Sequence, residues 1–412
     1  MALGAALRLN HRYMEVSGGF ARLGPVGDLD LRPVFQPIVD LRDGAVVGYE
    51  ALMRSGPEDG ALHSARAMLE AARREDSVAA LDHAARDAAI AHADRAGLAA
   101  PFCLFLNADA VSLEGDVPLP DTSLTLLMDV TERALIERPE AVLRALTELR
   151  THGWGIALDD VGADSRSLAL TSVLYPDVIK LDLRLLDDRA PQDVARIVMA
   201  VGAEAERRHA VILAEGVHSP EQLDVARVCG ATLGQGYHLG PPGPLPDPLP
   251  APGRPLRLAG GAGDPFGSSP WQRVTNWRRP LHGGRRLAAR ALEPLLLHAA
   301  ELGETAMVLG CLVREEHAVR AVRRFGWLQE RVAFVGILNA GGAFDGTGVR
   351  SGTLDPGDPL RGTGTVVTLA PDFAACYVAR ETGDSWEWAI SYDRETVVEC
   401  ALQLIARMEP LS

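Results

Sequence analysis

Little in this chain points to covalent cross-links or to a nucleic-acid partner. Its five cysteines, Cys103, Cys229, Cys311, Cys376 and Cys400, are scattered, odd in number and free of any CxxC spacing. That pattern excludes a disulfide framework and a zinc-ribbon site. Basic charge is also short, with 41 Lys and Arg against 55 Asp and Glu and a net charge of -14. Broad phosphate binding needs clustered Lys and Arg, so no duplex nucleic acid partner is expected. An acidic chain can still take a small anion through a local arginine, or through a divalent metal that reverses the field of a carboxylate cluster. Long apolar runs are missing too. The one after Pro294 is broken by His298, Glu301 and Glu304, so no membrane insertion is expected. The start, MALGAALRLNHRYMEV, has no basic segment leading into a sustained apolar core, so it does not read as a signal peptide. A cytoplasmic location follows as the expectation.

Apolar residues, in contrast, are plentiful: 47% of 412 residues are hydrophobic, enough for more than one core. The clearest break is PPGPLPDPLPAPGRPLRLAGGAGDPFGSSP (241–270), where proline and glycine leave little room for helix or strand. The chain therefore divides into an N-terminal extension (1–27), a first domain (28–242), a semi-extended linker (243–270) and a second domain (271–412).

In the first domain, short apolar runs alternate with helical patterns such as PEAVLRALTELRTHG (139–153) and PQDVARIVMAVGAEAERRH (191–209). The runs are VVGYEAL (46–52), FCLFLN (102–107), LTLLMDV (124–130), WGIALDD (154–160), VIKLDL (178–183), VILAEGV (211–217) and ATLGQGY (231–237). Continuously apolar strands joined by helices predict an α/β fold with a parallel sheet buried on both faces. Polar residues fall at or near the C-terminal ends of these runs: Glu50, Asn107, Asp129, Asp159, Asp160, Asp182, Glu215 and Gln235. Any one of them could be a helix cap or a loop starter. As a set they need another reason, since caps require no Glu, Gln or Lys. In a closed β/α barrel those ends converge on one rim, where active sites sit.

Several carboxylates on one rim repel each other and raise each other's pKa unless a cation relieves them. Oxygen donors without Cys or His suit Mg²⁺ or Mn²⁺ rather than zinc. Paired ions bridged by an aspartate are a recurrent solution for phosphodiester hydrolysis, and adjacent Asp159 and Asp160 could supply the bridge. Lys180 would hold the attacking water or offset developing negative charge, or simply pair with a neighbouring carboxylate. Arg54, four residues beyond Glu50, either forks a phosphate or lies on the surface of a following helix.

The residues also carry a family resemblance. FQPIVDLRDGAVVGYEALMR (35–54), with Glu50, Ala51 and Leu52 as the namesake triplet, resembles the opening of an EAL domain, the cyclic di-GMP phosphodiesterase family. The likeness continues in order through FLN (105–107), DVTER (129–133), LDD (158–160), PDVIKLD (176–182), AEGV (214–217) and GQGYHLGPP (234–242). The resemblance implies an EAL-type (β/α)8 TIM-like barrel with one antiparallel strand, a homodimer through that domain, two Mg²⁺ or Mn²⁺ ions, and linearisation of cyclic di-GMP to pGpG. Carried over by motif, Glu50, Asn107, Asp129, Asp159 and Asp160 would be metal ligands. Glu50, Lys180, Glu215 and Gln235 would form the catalytic group. Gln36, Leu52, Arg54 and Asp182 would contact the nucleotide.

Three positions depart from the family pattern. Asp129 replaces the usual Glu, keeping the charge on a shorter stem. VGADSRSL (161–168) replaces a Phe-Gly-Thr-Gly-Tyr-Ser-Ser loop associated with metal and dimer contacts. His218 stands where a second Glu is usual. These changes set reduced hydrolysis, or a catalytically degenerate cyclic di-GMP receptor, beside full activity.

The second domain holds five of the six tryptophans and no catalytic set. Its expected elements are a helix (284–302), strands at 305–313, 331–339, 365–370, 373–381 and 387–393, a helix at 315–325 and a closing helix to Met408, with a flexible region at 341–364. This is a smaller α/β or α+β domain. Through WRRPL (277–281) and its element order it resembles a DICT sensory domain, which would make it a regulator of the first domain.

Overall fold

The computed structural model describes residues 29–56, 65–115, 117–120, 122–162, 168–184, 189–258, 260, 268–314, 325–339 and 349–409. The N-terminal extension, most of the 161–168 loop and nearly all of the helix expected at 315–325 lie outside the described residues.

Eight strands close into a barrel in chain order: β1 (Leu31–Asp40), β2 (Val46–Ser55), β3 (Cys103–Asn107), β4 (Thr125–Thr131), β5 (Gly155–Val161), β6 (Val178–Asp182), β7 (Val211–Glu215) and β8 (Leu233–Gly234). Helices fill most of the connections, and adjacent strands run parallel except β1, which is antiparallel to both β2 and β8. The seven apolar runs supply β2 to β8. No apolar run announces β1, because Pro33 and Pro37 interrupt it, and proline is rare inside paired strands.

Side chains alternate along a strand, so every second residue faces the barrel interior. The floor of that interior is a buried apolar cluster that includes Phe105, Leu127, Ala157, Val178, Leu213 and Leu233. Two residues further along each of those strands, on the same face, stand Asn107, Asp129, Asp159, Lys180, Glu215 and Gln235. On antiparallel β1 the order reverses, with Gln36 preceding buried Ile38. A polar layer thus sits directly on an apolar one, at the C-terminal rim.

The proline-rich stretch does more than span a gap. Gly253 N donates to Val46 O at 2.8 Å, and Leu256 and Leu258 pack against the interior cluster from the N-terminal end of the barrel. Gly155 makes room for this plug, since a Cβ there would lie 2.6 Å from the Leu258 side chain.

A second, seven-stranded sheet follows, in the order β12-β11-β10-β13-β14-β15-β9. Its strands are β9 (Leu281–Gly283), β10 (Met307–Cys311), β11 (Phe334–Asn339), β12 (Arg350–Thr353), β13 (Thr363–Leu369), β14 (Ala374–Thr382) and β15 (Ser385–Ser391). Short β9 carries no apolar signal, and β12 forms within the region expected to be flexible, by pairing parallel to β11. The helix Arg285–Leu302 covers one face, packing Leu292, Leu295 and Ala299 against Val308, Val366 and Tyr377. The helix Arg394–Ile405 covers the other face and is capped by Asp393, whose side chain accepts from Thr396 N.

That second helix also meets the barrel. Arg394 Nη2 donates to Ser172 Oγ at 2.9 Å, and Arg208 Nη1 donates to Glu395 Oε2 at 2.8 Å. No described helix is long and apolar enough to cross a membrane.

Candidate active site at the barrel rim

One ammonium organises the rim. Lys180 Nζ lies 2.5 Å from Asp129 Oδ2, 2.7 Å from Glu215 Oε1, 3.3 Å from Asp159 Oδ1 and 3.4 Å from Glu50 Oε1. It is fully buried. Burial alone would favour the neutral amine, but Asp129, Asp159, Glu215 and Glu50 together hold it protonated well above the usual lysine range.

Four carboxylates around one ammonium leave surplus negative charge, and the pKa shifts show where it falls. Burial pushes the Asp129 carboxyl well up, and Asp159 and Glu50 push it further against the pull of Lys180. Burial, again with Asp159 and Glu50, lifts Glu215 to about 8. Glu50 is the exception: burial opposes its charge, but Lys180 with the Gln235 and Asn107 amides keeps it below the usual carboxylate range.

Two amides fix the orientation of Glu50. Asn107 Nδ2 donates to Glu50 Oε1 at 3.1 Å, and Gln235 Nε2 donates to Glu50 Oε2 at 2.5 Å. Gln235 Nε2 also reaches Gln36 Oε1 at 3.1 Å, and Gln36 in turn donates to Gly240 O at 3.1 Å. The chain thereby ties β1 and the segment after β8 to the rim.

The Asp159–Asp160 pair sits where the β5–β6 register shifts between Leu158 and Val161. Asp160 adopts a φ of 57°, rare for a residue with a Cβ. Asp160 N donates to Asp159 Oδ1 at 2.9 Å. Partial burial and the neighbouring Asp159 charge raise the Asp160 pKa.

Leu52 and Arg54 continue the face of Glu50 at strand spacing, since all three belong to β2. Arg54 therefore lies on the strand rather than on a following helix, and its Nη1 donates to Met53 O at 2.8 Å. Asp182 stands apart from the lysine cluster. Arg184 grips it through Nε at 3.0 Å and Nη2 at 2.6 Å, and the Arg184 backbone N–H adds a third bond at 2.8 Å. Gly216, with φ 69°, lets the β7 loop close over this pair, as a Cβ there would stand 3.1 Å from both side chains.

Sequence reasoning overlooked Arg184, although a signal was present. Asp-Leu-Arg occurs at 30–32, 40–42 and 182–184, and each time the arginine folds back on the aspartate. His218 does not replace a carboxylate in the cluster: its ring packs 5.4 Å from that of Tyr237. Burial and nearby Arg184 hold its pKa below the ordinary histidine value.

Among the described residues, no three His, Cys, Asp or Glu side chains stand ready-spaced as a metal cage. Lys180 draws the carboxylates to itself. The donor set nonetheless fits a hard divalent cation: the candidate donors are all oxygens, negative charge is in surplus, and Asp129 Oδ1 and Gln235 Oε1 are buried without a hydrogen-bond partner.

Residues 27–242 match the family model described as EAL domain. The chain belongs to the EAL domain family. Among curated proteins, it is 33% identical over 226 residues to the cyclic di-GMP phosphodiesterase NbdA of Pseudomonas aeruginosa, covering 51% of this chain and 29% of that protein. It is 28% identical over 222 residues to the probable cyclic di-GMP phosphodiesterase PdeG of Escherichia coli, covering 51% of this chain and 44% of the relative. The chain thus spans less than half the length of either relative. Among solved structures, PaMucR phosphodiesterase in complex with c-di-GMP is 27% identical with a TM-score of 0.46, covering 53% of this chain and 94% of that one.

Proposed function

We propose that the barrel of this EAL protein binds cyclic di-GMP and hydrolyses one of its phosphodiester bonds to give pGpG, with Mg²⁺ or Mn²⁺ bound at the rim. The observation that carries this reading is the surplus of carboxylates around Lys180, supplied by four different strands of the barrel. The curated relatives named as cyclic di-GMP phosphodiesterases agree with it.

In this reading Glu50, Asn107, Asp129, Asp159 and Asp160 would hold two ions, which would lower the pKa of water and screen charge developing on phosphate. The remaining work falls to the chain. Glu215, lifted by burial to about 8 without a cation, would be mostly protonated in that state and would take the proton of the attacking water only with a cation bound. A bound cation would lower that value again. Lys180 stays protonated and faces the phosphate oxygens as their charge grows. Water adds its oxygen to phosphorus, the bond from phosphorus to the ribose oxygen breaks, and that oxygen leaves with a proton. Gln36, Leu52 and Arg54 would line the nucleotide side, with the Arg54 fork directed to phosphate. Asp182 would contact the nucleotide only after Arg184 lets go of it.

The remainder of the chain, about 271–412, is proposed to act as a DICT-like sensory domain regulating the barrel. The helix Arg394–Ile405 supports this, since it joins the second sheet to the barrel through Ser172 and Arg208. Ser172 lies just beyond the segment that follows Asp159 and Asp160.

A second reading, a receptor that binds without cutting, is favoured by Asp129. Its shorter side chain is drawn to within 2.5 Å of Lys180. Incubation with cyclic di-GMP and Mn²⁺ or Mg²⁺, followed by chromatography, separates the two. The enzyme reading expects pGpG from the wild type and faster turnover in Asp129→Glu. Binding without product in the wild type, with product appearing only in Asp129→Glu, would establish the receptor.

A further inference from the structure

The second domain contains a cleft that the barrel's chemistry does not use. It lies between the helix Arg285–Leu302 and the sheet, has a volume of about 210 Å³, and is bordered by Ala288, Leu292, Gly310, Gly364, Tyr377 and Trp386, among others. Small residues make the space. Gly310 and Gly364 offer no side chain where β10 and β13 pass beneath, and a Cβ on Gly364 would meet Val313 at 2.8 Å. The tip of the Phe325 ring comes close enough to β10 that a Cβ on Gly310 would stand 3.2 Å from it. The Tyr377 hydroxyl is already spent, donating to Ala288 O at 2.9 Å, so it offers no free donor to a guest. Among the described residues the walls are therefore mostly apolar and partly aromatic, with the buried hydroxyl of Thr365 among them.

Among the described residues, the one charge bordering this apolar space is that of exposed Arg285. The first turn of its helix carries Arg285 and Arg286, no acidic residue and no side-chain cap at Gly284. Cations at the positive end of an 18-residue helix work against its dipole, and its first N–H groups go without a side-chain acceptor. Among the described residues no carboxylate is paired with Arg285. An anionic group there would satisfy both the helix end and the guanidinium.

We infer that this cleft binds a small, flat apolar molecule carrying one carboxylate, with its body between Leu292, Gly310 and Trp386 and its acid group at Arg285. The size agrees: an apolar cavity of about 150 Å³ takes benzene, so one of this volume takes a fused ring pair or a ring with a short arm. The site faces away from the helix Arg394–Ile405, which covers the opposite side of the same sheet. Binding here needs nothing from the barrel's proposed activity.

The test uses the full chain, titrated by calorimetry with 2-naphthoate and with the neutral 2-naphthalenemethanol. The wild type is expected to bind 2-naphthoate more tightly than the alcohol. Arg285→Gln should weaken 2-naphthoate about ten-fold, the scale of one charge-assisted hydrogen bond, and leave the alcohol unchanged. Ala289→Phe, on the exposed side of the helix beside the cleft, should remove both while circular dichroism and thermal midpoint stay those of the wild type. Three results overturn the inference: no binding of either probe at millimolar concentration, equal affinity for acid and alcohol, or acid binding indifferent to Arg285→Gln. Should Ala289→Phe unfold the protein, the Arg285→Gln arm decides alone.

Discussion

In the barrel, the buried polar residues include Asp40, Glu50, Asp129, Lys180, Asp182 and Glu204; among the described residues of the second domain they are Thr305, Asn339, Thr365, Thr368, Ser391, Thr396 and Gln403, none of them charged. Both regions use apolar strands covered by helices, so burial of strands alone does not account for the contrast. The barrel's own charges divide further. Asp177 is met by Arg150 at 3.2 Å and by Ile156 N at 2.8 Å, and Glu204 by Arg207, Arg208 and Ser172. These carboxylates are neutralised by arginine and backbone, and they brace the fold. At the rim the count is unbalanced, with several acids sharing Lys180. Buried charge that its neighbours balance is architecture; buried charge left in surplus is a site waiting for a ligand.

That contrast can be broken most severely at Glu50. Glu50→Gln keeps the shape but removes one negative charge and one of the two oxygens that accept from Asn107 and Gln235, and turnover of cyclic di-GMP with Mn²⁺ is expected to fall about 100-fold or more. Product formation measured by chromatography checks it, and wild-type rates in this variant would show that the rim is not the reaction centre.

Next in size is Lys180→Met, which strips the rim carboxylates of their one ammonium. Without added metal the variant should lose about 3–5 kcal/mol in urea unfolding, and millimolar Mn²⁺ should return part of it. A loss that Mn²⁺ leaves untouched would mean the acids are not poised for a cation.

Acid should act at the seam between the domains before it acts on the second sheet. Burial opposes the charge of Glu204, but Arg207, Arg208 and Ser172 hold its pKa below the usual glutamate range. A depressed carboxylate contributes stability that is complete above its unfolded value and fades as pH falls through the folded one. Fluorescence-monitored unfolding from pH 6 to pH 3 should therefore weaken below about 4.5, and Glu204→Gln should flatten that slope. The smallest effect is expected at Thr368, buried in β13 with no partner for its hydroxyl. Thr368→Val removes that orphan at constant shape and should stabilise by about 1 kcal/mol, whereas the unpartnered Oε1 of Gln235 at the rim should tolerate no such repair without losing function.

Much of the barrel was legible because its signals are local. Seven apolar runs ending in polar residues became β2 to β8, and the polar ends became the rim, as two-residue alternation above an apolar floor requires. β1 escaped because its prolines mask a strand whose partners, β2 and β8, lie at opposite ends of the domain. The grip of Arg184 on Asp182 was half visible as Asp-Leu-Arg. Its closure by Gly216 was not, because that glycine comes from another strand's loop. The plug formed by Leu256 and Leu258 was hidden for a related reason: proline-rich composition announces extended chain, and only the cavity left by Gly155 tells the chain where to lie. In the second domain β12 exists through its pairing with β11, which no local pattern records.

The most direct measurement is a cyclic di-GMP binding isotherm, taken with Mn²⁺, for the wild type and for the double variant Glu50→Ala, Arg54→Ala. Saturable binding by the wild type and its loss in the double variant is the predicted result. Binding that survives the double substitution, or that the wild type lacks altogether, would contradict the placement of the site on the barrel rim.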